Sequence, residues 1–221
     1  MINQIRNVLP RSAWQEVVIN ESGEELVQIV ESDRLKTGLV KKLYEPIFYV
    51  RKSVAEKLYR ASEKLPENIV LVLIEGYRTL RAQQDSWDRK FDRLKIENPH
   101  WSDEEIEKQV RLVVAKPLPL ANHHCGGAVD VTLAYNDGTL LDMGTIYPSE
   151  AMSADWYKKF QMFSDEITDV QKINRKILRD AMETEDFVWY PGEWWHYCWG
   201  DRMWAVYSHQ NQCIYGPIEF E

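Results

Sequence analysis

The sequence predicts an α+β domain, and three observations carry that expectation. The run Ile69-Val70-Leu71-Val72-Leu73-Ile74 is short, rich in branched residues and bounded by Pro66 and Gly76, which favours a buried strand over a helix. From Ala128 onward the pattern alternates, with Val129, Val131 and Leu133 pointing one way and Ala128, Asp130 and Thr132 the other. Around these strands, several segments space their apolar residues as amphipathic helices do. A chain of 221 residues, 44% hydrophobic and 28% charged, suits one compact domain rather than a disordered polymer.

Taken in order, Val17-Val18-Ile19 and Leu26-Val27-Gln28-Ile29-Val30 flank the turn-forming Asn20-Glu21-Ser22-Gly23 and read as a hairpin. Ser53-Val54-Ala55-Glu56 has the form of a capping box, and Val54, Leu58, Ala61 and Leu65 follow at helical spacing, so a helix is expected from Ser53 to Lys64, stopped by Pro66. A polar helix from about Leu80 to Leu94 follows the aliphatic strand. Ser102-Asp103-Glu104-Glu105 is a second capping box, opening a helix with Ile106, Val110 and Val113 on one side, and Lys116-Pro117-Leu118-Pro119 breaks it. After the alternating strand, Asn136-Asp137-Gly138-Thr139 supplies turn chemistry for a hairpin into Leu140-Leu141. Ile167, Val170, Ile173, Ile177, Leu178 and Ala181 mark a long amphipathic helix ending near Glu183, and Phe187 to Ile218 alternates aromatic and polar residues as strands do.

Composition excludes several classes of function. With 27 Lys+Arg against 35 Asp+Glu, a net charge of −8 and a pI near 5.3, and no Lys/Arg cluster long enough to neutralise a row of phosphates, no nucleic-acid partner is expected. The longest aliphatic run is far below the ~20 residues that span a bilayer, so no membrane partner is expected either. Met1-Ile2-Asn3-Gln4-Ile5-Arg6 lacks the apolar region of a signal peptide, which makes the cytoplasm the expected compartment, or the periplasm for a processed chain. Three scattered cysteines, Cys125, Cys198 and Cys213, are expected to be free thiols. Five of the nine tryptophans crowd between Trp189 and Trp204 and imply an aromatic wall.

Two short segments could carry chemistry: His123-His124-Cys125-Gly126-Gly127-Ala128-Val129-Asp130 and Gly192-Glu193-Trp194-Trp195-His196. A catalytic zinc needs three nitrogen or oxygen ligands and an open position, which two histidines and an aspartate satisfy. Residues seven apart on a straight strand face opposite sides, so His123 and Asp130 converge only if Cys125-Gly126-Gly127 bends the chain. A bend after Pro191-Gly192 would likewise bring Glu193 and His196 into one cleft. On spacing alone the motifs stay ambiguous. Asp130 could be exposed or bonded to a turn, the histidines satisfied within a core, Glu193 paired with a surface arginine, and Trp194-Trp195 simply core.

Read as residues rather than spacing, Glu75-Gly76-Tyr77-Arg78, His123-x-x-Gly126-x-Ala128-x-Asp130-Val131-Thr132-Leu133, Asp142-Met143-Gly144 and Pro191-Gly192-Glu193-Trp194-Trp195-His196 resemble the D-alanyl-D-alanine dipeptidases, the VanX-like branch of the M15 zinc peptidases. The match runs in order from Ser53 to Tyr207 and includes Asn174-Arg175-x-x-Leu178-Arg179-x-Ala181-Met182 and the Gly200 to Ala205 stretch. The resemblance implies a central antiparallel sheet with flanking helices and a zinc cleft, the Hedgehog/D,D-peptidase-like fold. It implies a single zinc peptidase domain over residues 1–221, with 1–50 a divergent N-terminal segment and about 88–120 a helical insertion, both narrowing the cleft. It also implies one Zn2+ per chain held by His123, Asp130 and His196, with Glu193 as general acid/base and Arg78 stabilising the oxyanion. The implied partner is a small dipeptide, hydrolysed in cell-wall precursor turnover.

Only His123 lies seven residues before Asp130 and three before Gly126, as the family pattern requires, which leaves His124 to solvent or the cleft wall, and Cys125, a soft zinc ligand in principle, is not needed where the pattern already supplies three. Two departures bear on substrate. Many relatives carry Ser two residues before the first zinc histidine, where this chain has Ala121, and an Asp that pairs with the substrate ammonium, where it has Pro148. Glu150 or Asp155 lies near enough in sequence to substitute, and the first fifty residues supply no matching binding residue. Two further readings therefore stand beside the dipeptidase: the same machinery acting on an N-blocked or longer peptidoglycan-type peptide, and a ligand-binding module without catalysis.

Overall fold

The structure, a computed structural model, describes residues 7–9, 12–42, 44–111, 114, 122–145 and 157–219. Val113, residues 116–119, Ala121, Pro148, Glu150 and Asp155 lie outside them. The first elements are α1 (Ser12–Gln15), β1 (Val18–Ile19), β2 (Leu26–Gln28), β3 (Leu35–Thr37), β4 (Tyr49–Arg51) and α2 (Lys52–Ser62). Next come β5 (Ile69–Glu75), α3 (Leu80–Glu97), α4 (Asp103–Val110), a single 3-10 turn (Asn122–Cys125) and β6 (Ala128–Tyr135). The last are α5 (Tyr157–Phe160), α6 (Asp169–Glu183), β7 (Val188–Trp189), β8 (His196–Cys198), α7 (Arg202–Tyr207) and β9 (Gln212–Cys213).

The expected α+β architecture is present. A five-stranded sheet runs in the order β3-β5-β6-β8-β7. It is antiparallel except at its edge, where β3 pairs parallel with β5. Ile69, Leu71 and Leu73 of β5 and Val129, Val131 and Leu133 of β6 point into the main core, against Val54, Leu58 and Ala61 of α2 and Leu178, Ala181 and Met182 of α6. Fully burying a side chain such as Leu58 is worth about 1.5–3 kcal/mol, so this shared core holds both helices to one face of the sheet. The other face is left for Val70, Val72 and Ala134 and, further along, for Asp130.

One irregularity in β5 matters for everything below. The pairing runs Val72 with Thr132 and Leu73 with Val131, then Glu75 with Asp130, so Ile74 is an extra residue in a β-bulge. Were Ile74 paired with Asp130 in a regular ladder, side-chain alternation would send Glu75 into the core behind Leu73.

Several local expectations give way to tertiary structure. The hairpin expected over residues 17–30 does not form: β1 pairs parallel with β9 and β2 antiparallel with β4. Its turn residues are satisfied locally, Gly23 donating to the Glu21 carboxylate at 3.0 Å and Glu24 to Ser22 Oγ at 3.3 Å, while Asn20 and Ser22 donate to the carbonyls of Cys213 and Ile214. The capping box at Ser53 does not form either. The helix begins one residue earlier, with Arg51 at its N-cap, and the Ser53 amide is taken by Glu24 from β2's approach. The helices from Ser102 and Thr168 do carry complete capping boxes. In α6, Val170 and Ile173 are 65% and 57% exposed, and the buried stripe is Arg175, Leu178, Arg179, Ala181 and Met182. The turn at residues 136–139 closes on a single bridge between Ala134 and Leu140 instead of a full second strand. The stretch after Phe187 holds the helix α7, capped by Asp201, where only strands were expected.

Candidate metal centre

The site is assembled by strand register. Across three neighbouring strands Glu75 pairs with Asp130, and Asp130 pairs with His196. Directly opposed residues of antiparallel strands share a face, so three ionisable side chains form a row across the sheet. His123 joins them from the 3-10 turn that precedes β6. Gly126, at φ +73°, reverses the chain there, and its amide donates to the His123 carbonyl at 3.3 Å. The backbone conformation there favours glycine, and a Cβ at Gly126 would stand 2.4 Å from Leu26 Cδ2, so that side chain would have to shift.

His123, Asp130 and His196 are buried, and their candidate ligand atoms lie within 4.8 Å of one another. Asp130 Oδ1 is 3.4 Å from His123 Nε2 and 2.9 Å from His196 Nδ1. With metal–ligand bonds of about 2.0–2.1 Å, tetrahedral ligands stand about 3.3 Å apart, close to both separations. The His123 tautomer follows from its other nitrogen: Nδ1 lies 2.8 Å from the Gly76 carbonyl, which can only accept, so Nδ1 carries the hydrogen and Nε2 offers its lone pair towards Asp130. Burial opposes ionisation of Asp130, but the two imidazoles outweigh it and hold the carboxyl well below the usual range. Burial likewise disfavours imidazolium at His196, yet the hydrogen bond and charge of Asp130, helped by Glu193, raise it on balance. Two imidazole nitrogens and a carboxylate converging as buried side chains fit a divalent metal of zinc's type.

Arg78 follows the bulge and flanks this row, its amide donating to the His123 carbonyl at 3.2 Å. Its guanidinium binds Glu75 through Nε, at 2.8 Å, and Nη2, and Gln83 Oε1 through Nη1 at 2.6 Å. Lys42 and Tyr44 also donate to Glu75. Burial works against a charged Glu75, but Arg78 and Lys42 prevail and keep it ionised far below the ordinary carboxylate range. Glu193 lies half-exposed in the β7–β8 connection, which is closed by Tyr190 donating to the His196 carbonyl at 2.9 Å and pinned by Trp194 donating to the Phe160 carbonyl at 2.9 Å. Thus all five residues expected at the site are gathered around one end of the sheet.

Their neighbours depart from expectation only at His124. His124 is 2% exposed instead of facing solvent: Nδ1 meets the Arg78 carbonyl at 3.2 Å and Nε2 meets Glu219 at 3.4 Å. Cys125 turns inward, donating to the Asn122 carbonyl at 2.8 Å, and burial pushes its thiol up, so it stands apart from the ligand cluster. Trp194 and Trp195 are core, Trp194 Nε1 donating to Thr145 Oγ1 at 2.8 Å and Trp195 packing edge-on against Phe160. Lys42, Tyr44 and Gln83 had no signal in the sequence, since two arrive from a loop with no periodicity and the third from a polar helix. All three cysteines are free, as expected.

The peptidase M15 family profile, described as D-ala-D-ala dipeptidase, matches residues 33–215. The chain belongs to the M15 peptidases. This M15 peptidase is accordingly a metallopeptidase, a hydrolase. It is 30% identical over 173 residues to a D-alanyl-D-alanine dipeptidase of Synechocystis sp., covering 67% of this chain and 69% of that one. It is 26% identical over 152 residues to a D-alanyl-D-alanine dipeptidase of Enterococcus faecium, covering 67% of this chain and 72% of that one. Among solved structures, a vancomycin-resistance D,D-pentapeptidase VanY in complex with Zn(II) aligns with a TM-score of 0.47 and 16% identity, over 90% of this M15 peptidase and 96% of that chain. No helix among the described residues is long and apolar enough to cross a membrane.

Proposed function

We propose that this M15 peptidase is a zinc-dependent D-Ala-D-Ala dipeptidase acting in cell-wall precursor turnover. The observation that carries the reading is the convergence of His123, Asp130 and His196 beside Arg78 and Glu193. The names of the curated relatives support the substrate. In this reading the two histidines and Asp130 hold one zinc ion. The chemistry that zinc supplies when bound is Lewis-acid polarisation of the scissile carbonyl and a lowered pKa for water. Glu193 takes the proton of the attacking water and delivers it to the leaving amine. Arg78, held by Glu75 and Gln83, keeps fixed positive charge where the carbonyl oxygen becomes negative. The N-terminal segment, through Lys42 and Tyr44, and the helical pair α3 and α4 border the cleft in this single-domain reading and exclude polymers.

Pro148 favours a second substrate class, because proline cannot pair with a free ammonium. The test is alanine release by metal-analysed protein from D-Ala-D-Ala and from N-acetyl-D-Ala-D-Ala, with His123→Ala and Glu193→Ala run in parallel. A dipeptidase releases alanine from the free dipeptide only, loses activity in both variants, and loses zinc only in His123→Ala. Hydrolysis restricted to the acetylated substrate transfers the site to N-blocked peptides, and no hydrolysis of either by zinc-loaded protein overturns the D-Ala-D-Ala assignment.

A further inference from the structure

His196 has two ring nitrogens, and the proposed metal uses only one. Nδ1 faces Asp130 at 2.9 Å. The other, Nε2, lies 3.4 Å from Cys198 Sγ, two residues along the same strand and therefore on the same face. An imidazole that gives Nδ1 to a metal carries its hydrogen on Nε2, and that hydrogen needs an acceptor where the ring is only 6% exposed. Sulfur is the polar atom beside it.

Behind the thiol sits Asp201, whose side chain lies against Cys198. This carboxylate is 2% exposed and caps α7 with one oxygen, Oδ1 accepting the Trp204 amide at 2.7 Å. Its other oxygen, Oδ2, is buried with no hydrogen-bond partner. A buried carboxylate oxygen left unpaired is costly, and the helix cap alone does not need it. The Cys198 thiol, enclosed by Trp14, Ala128 and Met203, is the donor at hand, its hydrogen free to turn from Met203 Sδ, a weak acceptor 3.6 Å away, to this oxygen.

We propose that Cys198 is a positioning residue for the metal centre. It accepts the Nε2 hydrogen of His196 and donates its own to Asp201, so that a carboxylate orients the metal-binding imidazole through an interposed thiol. The proposal rests on His196 being a ligand, and it assigns a role to two buried polar groups beside that ring. Cys198→Val keeps volume and removes the hydrogen bonds. Cys198→Ser keeps a donor and an acceptor. Asp201→Asn keeps the helix cap and removes the charge.

The test measures zinc affinity of the full chain by competition with a chromophoric chelator, the visible spectrum of the cobalt(II) form, and the thermal midpoint of the metal-free protein. Cys198→Val is expected to bind zinc about 10–100-fold more weakly. It also alters the cobalt spectrum at an unchanged metal-free midpoint, while Cys198→Ser stays near wild type and Asp201→Asn falls between. Wild-type zinc affinity in Cys198→Val overturns the proposal. So does an equal loss in the Ser and Val variants that tracks a lowered midpoint, which is what mere packing would produce. If Cys198→Val does not fold, Asp201→Asn with wild-type affinity overturns it. Full zinc affinity in His196→Ala is separable from all of these, because it defeats the metal-centre reading itself.

Discussion

At Glu75, one carboxylate receives Lys42, Tyr44 and both the Nε and Nη2 of Arg78. Removing its charge would leave two buried cations facing each other, and breaking a buried pair from one side costs about 3–5 kcal/mol. Glu75→Gln is therefore expected to lower stability by that order in denaturant unfolding at pH 7. The sign with pH follows from the depressed acidity of Glu75 relative to its ordinary 4.5. Its contribution is present above about pH 4.5 and drains away as pH falls below that, so the wild type loses stability on acidification more steeply than Glu75→Gln does. Arg78→Lys tests the geometry of the same group: a lysine keeps the charge but not the fork that grips Glu75 and Gln83. Turnover is expected to fall about 10²–10³-fold with zinc content unchanged, as for loss of an oxyanion donor. His123, Asp130, His196, Glu193 and Arg78 were readable in the sequence because each sits in a short motif. Lys42 and Tyr44 were not, because only the path of a loop without periodicity carries them to Glu75.

At the scale of elements, the turn from Asn122 to Gly126 converts a seven-residue spacing into a contact. Gly126 and Gly23 both have positive φ, +73° and +72°, but a Cβ at Gly23 meets nothing within 4 Å while one at Gly126 meets Leu26 at 2.4 Å. Gly23→Ala is expected to cost about 1–2 kcal/mol of backbone strain and leave metal affinity untouched. Gly126→Ala adds a shift of Leu26 to the same strain, in the turn whose amide bonds the His123 carbonyl, so it is expected to lose both stability and zinc affinity, measured by thermal unfolding and chelator competition. Elements that generate their own signal were legible: β5 from its aliphatic run, β6 from its alternation, α4 from its capping box and α6 from its apolar spacing. Elements two or three residues long were not. β1 and β2 carry the right residues for strands but find partners in β9 and β4, and nothing in a two-residue strand specifies which edge it joins. The apolar Trp204 and Val206 blurred α7 into the surrounding aromatic alternation, though Asp201 at its N-cap was a readable start.

At the scale of the whole molecule, both ends of the described chain fasten the metal-side turn. Tyr77 OH donates to the Ile218 carbonyl at 2.8 Å, the Ile218 amide to the His124 carbonyl at 3.1 Å, and Tyr215 OH to Glu24 at 2.7 Å. Truncation after Gly216 removes the first two and leaves a buried phenol without its acceptor, which costs about 1–3 kcal/mol. The expected signature is local: faster amide hydrogen exchange at residues 122–126 with the α2 and α6 helices still protected. The same scale shows what Ile74 does. As the extra residue in β5, it switches the strand's parity: odd-numbered side chains before it are oil-facing, and the odd-numbered side chain after it carries charge to the opposite surface. Replacing Ile74 with another aliphatic leaves that count intact. Were the ladder regular through this point, with Ile74 taking the place opposite Asp130, Glu75 would turn to the hydrocarbon interior and Arg78 would lose its counter-ion, so the site depends here on how the two strands are registered and not on which aliphatic stands at 74.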